Sequence, residues 1–415
     1  MAYIKTPVKG MSDALPRDAR LRQYVKGIIS ETYQKFGFSE IETPCVEHIE
    51  NLTGKQGGEN EKLIFKIMKR GEKLDLTTEN PDDLCDSGLR YDLTVPLSRY
   101  YACNANNLPV PFKALQIGNV WRAERPQKGR FRQFVQCDID ILGDPSCLAE
   151  IELISATLTT LGKLGFEGFT VRVNDRRLLK AMAALCSFPE DDYDKIFIIL
   201  DKLDKIGVEG VKNELLACGY AEENIDKYVS MFKDISENTD VSEYAEKNSL
   251  SDGVAADAIK NIADILDCVK VNISDAVSCK LVFDPSLVRG MSYYTGTIFE
   301  IGMDGYSFSV AGGGRYDEMI GRFSGHKVPA CGFSIGFERI VTILKDKGFE
   351  VPSSGGKYAV LVSKNSDKQT MLNAFSKASS LREEGNTVLL TSRQKNVKFQ
   401  KDQLLSEGYT EFIEF

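Results

Sequence analysis

The chain predicts an α+β fold, in which a β-rich domain is split by a helical insertion and followed by a small α/β unit. Three observations carry this expectation. Two strand-like segments flank a short basic loop between residues 121 and 134. From about residue 176 to 270 the apolar spacing is helical, and strand signals return only from 279. From 358 onward, strand and helix patterns alternate as βαβαβ, the order that builds a parallel sheet.

Residues 17–36 place Leu21, Val25, Ile28, Ile29 and Phe36 at helical spacing. Residues 38–41 read as a strand ending at the bend Glu42-Thr43-Pro44. Short strands are expected at 63–68, 73–76 and 89–92, after which Thr94 caps a helix beginning near Pro96. The segment 135–142 alternates. Val135, Cys137, Ile139 and Ile141 fall on one face, and Gln136, Asp138 and Asp140 on the other. In the insertion, Tyr193, Ile196, Phe197, Leu200 and Leu203 form one apolar helix face, and Ile259, Ile262 and Leu266 another. Strands at 279–283, 297–301 and 306–310 surround a glycine-rich turn, Gly312-Gly313-Gly314, and a helix is expected from 332 to 347. Beyond a linker at 352–356, strands at 358–363, 387–390 and 409–415 alternate with helices at 366–385 and 394–407. The expected divisions are 1–175, 176–270, 271–350 and 357–415.

With 415 residues, 42% hydrophobic and 27% charged, the chain has the profile of a globular protein of two or three domains. No apolar run approaches the roughly 18 residues of a membrane span, and the N-terminus carries no signal-peptide pattern. Ten cysteines without a C-x-x-C pair read as free thiols. A reducing, cytoplasmic setting is therefore expected. A net charge of −8 argues against a non-specific polyanion binder but allows local basic patches. His48 and His326 are the only histidines, which argues against a Ser-His-Asp triad or a multi-histidine metal centre.

Five runs carry chemistry. The loop at 121–134 holds five cations, with Glu124 two residues after Arg122. Beside it runs the acidic face of 135–142, a division that suits a site holding a cationic group and a polyphosphate together. In Arg90-Tyr91-Asp92-Leu93-Thr94-Val95-Pro96, Asp92 and Thr94 share a face if extended and could hold an ammonium; the plainer alternative is a helix cap and a surface ion pair. Arg289-Gly290-Met291-Ser292-Tyr293-Tyr294 joins a planar cation, which matches carboxylate and phosphate oxygens, to two aromatic walls; the alternative is a hairpin with cross-strand aromatics. Gly312-Gly313-Gly314-Arg315-Tyr316-Asp317 permits close backbone approach to a ligand. Gly336-Phe337-Glu338-Arg339 puts Arg339 near a helix start, where an arginine is usually just solvated.

In this order the segments closely resemble the histidyl-tRNA synthetases, a class II aminoacyl-tRNA synthetase family. The segment ending at Pro44 resembles class II motif 1, Trp121-Arg122-Ala123-Glu124 motif 2, and Gly336-Phe337-Glu338-Arg339 motif 3. The Arg289 and Gly312 runs resemble the two histidine-specific signatures, with Met291-Ser292 in place of the commoner Leu-Asp. The resemblance covers nearly the whole chain. It implies a class II synthetase-like antiparallel sheet flanked by helices, with a helical insertion and a C-terminal α/β anticodon-binding-like domain in shortened form.

The implied activity is ATP-dependent activation of L-histidine to histidyl-adenylate, then transfer to the 3′ end of histidine tRNA. ATP is a substrate, Mg2+ accompanies it, and a homodimer is implied by motif 1. By resemblance, Arg122 and Arg289 are catalytic, lying on either side of the reacting phosphate. Arg122, Glu124, Phe131 and Arg339 bind ATP. Asp92, Thr94 and Gln136 take the α-amino group, Asp140 and Tyr294 the imidazole nitrogens, and Tyr293 and Arg289 complete the histidine site. Arg393, Lys395, Lys398 and Lys401 give the last unit a basic edge suited to phosphate contacts. The competing reading is the synthetase-like regulatory subunit of ATP phosphoribosyltransferase, which binds histidine and charges no tRNA. Retention of Arg122, Arg289 and Arg339 argues against it.

Overall fold

The computed structural model describes residues 3–415 apart from 54–59, 127–130, 234, 273–278, 290–292 and 353–354. It divides into two units, Met1–Asp13 with Val25–Lys345, and Ala14–Tyr24 with Asp346–Phe415.

In the first unit, helix α1 (Pro16–Lys35) buries Val25, Ile29 and Tyr33, as their spacing requires. Strand β1 (Ser39–Glu40) follows, then β2 (Val46–His48), the single turn α2 (Ile49–Leu52), β3 (Lys66–Met68) and β4 (Cys85–Leu89). β2, β4 and β3 form a small antiparallel sheet. Helix α3 (Thr94–Asn104) leads to the long hairpin β5 (Phe112–Trp121) and β6 (Gln133–Leu142), then α4 (Leu148–Lys163) and β7 (Phe169–Asp175). Six helices come next, α5 (Arg176–Leu185), α6 (Tyr193–Leu200), α7 (Leu203–Ala217), α8 (Glu222–Ser230), α9 (Val241–Lys247) and α10 (Gly253–Asn272). The unit closes with β8 (Cys279–Phe283), β9 (Thr297–Met303), β10 (Ala311–Arg315), α11 (Gly321–Ser324), β11 (Ala330–Ile335) and α12 (Phe337–Asp346).

The main sheet has eight strands in the order β1-β5-β6-β11-β10-β9-β7-β8, parallel only at its two outer pairs. It is thus the antiparallel sheet flanked by helices that the sequence predicts. α4 packs against β6 and β11, where Cys137, Ile139 and Ile141 are buried. The opposite face of β6 carries Gln136, Asp138 and Asp140. Strict alternation therefore divides one strand between core and site.

Several local expectations are corrected. Residues 73–76 are not a strand; Gly71–Lys73 is a helical turn closed by Leu74 N donating to Gly71 O at 3.1 Å. The strand expected at 89–92 ends at Leu89, because Asp92 Oδ1 accepts from Val95 N at 3.2 Å and opens α3. Asp92 thus performs the capping assigned to Thr94, which is the first helical residue. Residues 306–310 are not a strand, and Gly312-Gly313-Gly314 is no turn but the middle of β10, paired on both sides. The helix expected from 332 begins at Phe337; residues 330–335 are β11, whose backbone is bonded to β6 and β10 at once.

The second unit contains the parallel sheet β13-β12-β14, from β12 (Lys357–Val362), β13 (Thr387–Ser392) and β14 (Glu411–Glu414), with α13 (Lys368–Glu383) and α14 (Val397–Ser406) as crossovers. Two apolar clusters, Ala359, Leu361 and Leu404 on one side and Val360, Ala374 and Ala378 on the other, show that both sheet faces are covered. Of the four basic residues named at its edge, Arg393 and Lys401 are both paired with Glu414, at 3.2 and 2.6 Å.

One buried ion pair fastens the main sheet to α4. Arg315 of β10 donates Nε and Nη2 to Glu150 at 2.7 and 2.6 Å, in a fork-to-fork arrangement. The Glu150 side chain is 2% exposed. Glu150→Ala strands a buried guanidinium and is expected to lower unfolding free energy by about 3–5 kcal/mol. Urea titration at constant m checks this, and Glu150→Gln should cost less.

Candidate functional site

The register of the main sheet fixes the site. One cross-strand row runs Arg172, Glu300, Gly312, Ser334, Asp138 and Gln116 through β7, β9, β10, β11, β6 and β5. A second places Gly314, Gly332 and Asp140 side by side. On this face lies a cavity of about 360 Å³. All eleven residues named from the sequence line it: Asp92, Thr94, Arg122, Glu124, Phe131, Gln136, Asp140, Arg289, Tyr293, Tyr294 and Arg339. Gln127, Lys128, Gly129 and Arg130 of the basic loop, and Met291-Ser292, lie outside the described residues.

One end of the cavity is acidic and aromatic. Tyr316 Oη donates to Asp140 Oδ1 at 2.5 Å. The Tyr293 ring packs on Tyr294 at 4.7 Å and on Tyr316 at 6.0 Å. Asp140 can cross its neighbour only because residue 332 is glycine; a Cβ there would lie 2.0 Å from Asp140 Oδ1. Gln136 Nε2 donates to Asp138 Oδ2 at 3.2 Å, which orients the amide. Its Oε1 is buried without a hydrogen-bond partner among the described residues. Such an acceptor is costly unless a ligand N–H meets it.

The other end is basic. Arg122 Nε donates to Tyr91 O at 3.1 Å, and its guanidinium lies 5.0 Å from the Phe134 ring centroid. Arg339 Nη1 donates to Ser309 O at 2.5 Å beside the Phe308 ring. Glu338 Oε1 accepts from Val135 N at 3.2 Å. Between the two ends and bonded to Tyr294, Arg289 lies over Gly312, where a Cβ would sit 2.6 Å from its Cζ, and donates Nη1 to Glu300 Oε2 at 2.5 Å. Asp140 lies four residue steps along β6 from Gln136, roughly 13 Å at strand rise.

Burial dominates the titration of the acidic end. It pushes Asp92 up to about 6, against the Val95 N–H and the charges of Arg122 and Arg90. It pushes Asp138 up to about 7, where the Ser334 hydrogen bond opposes it and the Asp92 charge adds to it. Asp140 is held well above the usual carboxylate range by burial and then by Asp138, against the Tyr316 hydroxyl. Desolvation and like charge together leave the site short of positive charge.

Sequence reasoning left out Asp138, Tyr316, Ser334, Glu338 and Glu300. Asp138 was legible on the polar face of 135–142, and Tyr316 and Glu338 stand inside quoted motifs. Glu300 had no signal, because only strand pairing brings it beside Arg172 and Gly312, over which Arg289 lies. Among the described residues, no group of three or more His, Cys, Asp or Glu could hold a metal ion.

A family model described as histidyl-tRNA synthetase matches residues 10–340. A histidine–tRNA ligase from Leifsonia xyli subsp. xyli is 44% identical over 99% of this chain and 95% of its own length. One from Aeropyrum pernix is 39% identical over 83% of this chain and 74% of its own length. A solved histidyl-tRNA synthetase from Nostoc sp. PCC 7120 superposes with a TM-score of 0.81 at 26% identity, covering 98% of this chain and 90% of the other. A Bacillus halodurans structure described as an ATP phosphoribosyltransferase regulatory subunit/histidyl-tRNA synthetase gives a TM-score of 0.80 at 20% identity, over 100% and 99%, a likeness of fold.

Asp138 gives a test of the electrostatics. A carboxyl that holds its proton more firmly folded than unfolded contributes stability that is full below about pH 4 and lost as pH rises through its folded value. For Asp138 that value is about 7. Asp138→Asn should therefore stabilise the ligand-free protein at pH 8 by about 1 kcal/mol or more. The gain should shrink as pH falls toward 4, which thermal unfolding at both pH values measures.

Proposed function

This chain belongs to the histidyl-tRNA synthetase family, and we propose from that premise how its cavity performs the reaction. It is a histidine–tRNA ligase, an ATP-dependent class II aminoacyl-tRNA synthetase. The observation that carries the site reading is the polarity along β6, with carboxylates and tyrosines at the Asp140 end, Arg122 and Arg339 at the hairpin end, and Arg289 between them.

Histidine enters with its ring toward Asp140 and Tyr294. Its α-ammonium meets Asp92, Thr94 and the unpartnered Gln136 oxygen. Ligand positive charge supplies what the buried carboxylates lack, so binding draws their protons off. A site whose polar groups need both ring nitrogens rejects apolar analogues by roughly 10⁴ or more.

ATP lies toward the hairpin, its adenine against Phe131 and Glu124 and its outer phosphates near Arg339. The histidine carboxylate attacks the α-phosphorus as pyrophosphate departs in line. Arg122 and Arg289, aimed at that phosphate from two sides, stabilise the growing negative charge without a covalent protein intermediate. The 3′-terminal hydroxyl of histidine tRNA then takes the acyl group and AMP leaves. Mg2+ would accompany the triphosphate, held chiefly by phosphate oxygens whose charge it would offset, and Glu124 and Glu338 of the cavity lining would be the carboxylates to hold it.

We further propose that the chain acts as a homodimer in the cytoplasm, with its C-terminal unit on the tRNA anticodon. None of the ten cysteines is in a disulfide, which suits a reducing compartment. Among the described residues, no helix is long and apolar enough to cross a membrane.

The test is histidine-dependent exchange of labelled pyrophosphate into ATP, without tRNA. Exchange with histidine alone among amino acids is expected; its absence in a folded, histidine-binding protein would favour a regulatory, non-charging subunit. Arg289→Ala should lower the exchange kcat by about 10²–10³ while histidine affinity changes by less than about threefold. Asp140→Ala should weaken histidine binding by about tenfold or more and leave ATP binding unchanged. Calorimetry separates the two, and equal losses in both would overturn the role given to Arg289.

A further inference from the structure

Glu300 sits between two arginines, Arg172 and Arg289, of which Arg289 lines the cavity. Its Oε2 accepts from Arg289 Nη1 at 2.5 Å and its Oε1 from Arg172 Nη2 at 2.9 Å. The register explains the geometry, since Glu300 is the direct neighbour of Arg172 on β7 and of Gly312 on β10. Gly312, lacking a side chain, leaves the space that the Arg289 guanidinium fills. The Glu300 side chain is 16% exposed. Burial alone would raise its carboxyl, but the Arg289 charge and the Arg172 hydrogen bond hold it below the usual range.

Arg172 continues outward. Its Nη1 contacts Asp284 Oδ2 at 3.1 Å and Asp204 Oδ2 at 3.3 Å. Asp204 lies in the first turn of α7, ahead of the non-helical Gly207, and therefore belongs to the helical segment between β7 and β8. Asp201, just before it, also faces Glu300 and Arg289. The two contacts of Glu300 are screened from water. Asp204 is 71% exposed, so its contact with Arg172 is the weak link of the chain.

We propose that Glu300 is the positioning residue for Arg289, and that through Arg172 and Asp204 it ties that arginine to the helical insertion. This rests on the role given to Arg289 above. An arginine on a flexible stem stabilises a transition state only if its fork is held where charge develops. Glu300 holds Nη1, Tyr294 bonds the same guanidinium, and the remaining donors are left to the ligand. Because its second oxygen serves Arg172, its charge is shared and Arg289 keeps net positive character toward the cavity. Displacing the insertion loosens Asp204 from Arg172, draws Glu300 toward Arg172 and weakens its hold on Arg289.

The full chain is assayed by pyrophosphate exchange. Wild-type activity with histidine tests the function; the ratio of variant to wild type tests this proposal. Glu300→Gln, which keeps shape and loses charge, should lower kcat by about tenfold to a hundredfold with both KM values within about twofold. Glu300→Asp should recover part of that loss. Arg289→Ala should cost less in the Glu300→Gln background than alone, as expected for groups acting together. Asp204→Asn, at an exposed position that does not endanger folding, should lower kcat about twofold to threefold, and that loss should vanish in the Glu300→Gln background. Unchanged kcat in Glu300→Gln, KM values rising in step with the loss, or additive losses in the double variants would each overturn the proposal.

Discussion

Desolvation of carboxylates is the constraint around which the catalytic unit is built. Asp92, Asp138 and Asp140 are each at most 5% exposed and face one cavity. Buried charges are tolerated only when paired and hydrogen-bonded, and these three lack a full complement of cations. For Asp138 and Asp140 the cost is met on the opposite face of the same strand, where Cys137, Ile139 and Ile141 lie in the core below α4. A strand with period two can do both at once. A face with this surplus of negative potential suits a ligand that carries an ammonium and a polar ring.

The same register that creates this strain also distributes it. Small residues recur where rows cross the site: Gly332 beside Asp140, Ser334 beside Asp138, Gly312 beside Glu300. Each leaves room for a neighbour's long polar side chain to lie across the sheet. Such glycines are needed for the space they vacate, not for backbone freedom.

That explains what the sequence could and could not reveal. The alternation of 135–142 was visible, because periodicity survives in a single strand. The parallel βαβαβ unit was visible for the same reason, its strands and helices being long and regular. The triple glycine was read as a turn, since isolated glycine signals bends; β10 is a strand because β9 and β11 saturate its backbone on both sides. The start of α12 was placed too early because Gly332 and Ser334 lack the β-branched character of ordinary strands. Asp92, not Thr94, opens α3, a choice that depends on which oxygen reaches Val95 N. Glu300 was out of reach, since its meaning lies in three strands distant in sequence.

The arginines show how one residue type is divided between structure and chemistry. Arg315 stands in a quoted motif, yet its five N–H donors meet Glu150 twice, Asp144 O, Ser146 O and Asp317. A guanidinium has five donors in a fixed fork, so none remains for a substrate, and Arg315 is structural. Arg90, likewise, bonds Thr43 and Asn119 and fills the space left by Gly118. Arg122 differs. Among the described hydrogen bonds it uses only Nε, toward Tyr91 O, with its plane against Phe134. Arg289 spends Nη1 on Glu300 and also bonds the Tyr294 hydroxyl. Each keeps part of its fork uncommitted among the described hydrogen bonds, the arrangement an anion of several oxygens requires. The number of donors already committed thus separates the arginines that hold the fold from those that can meet a phosphate.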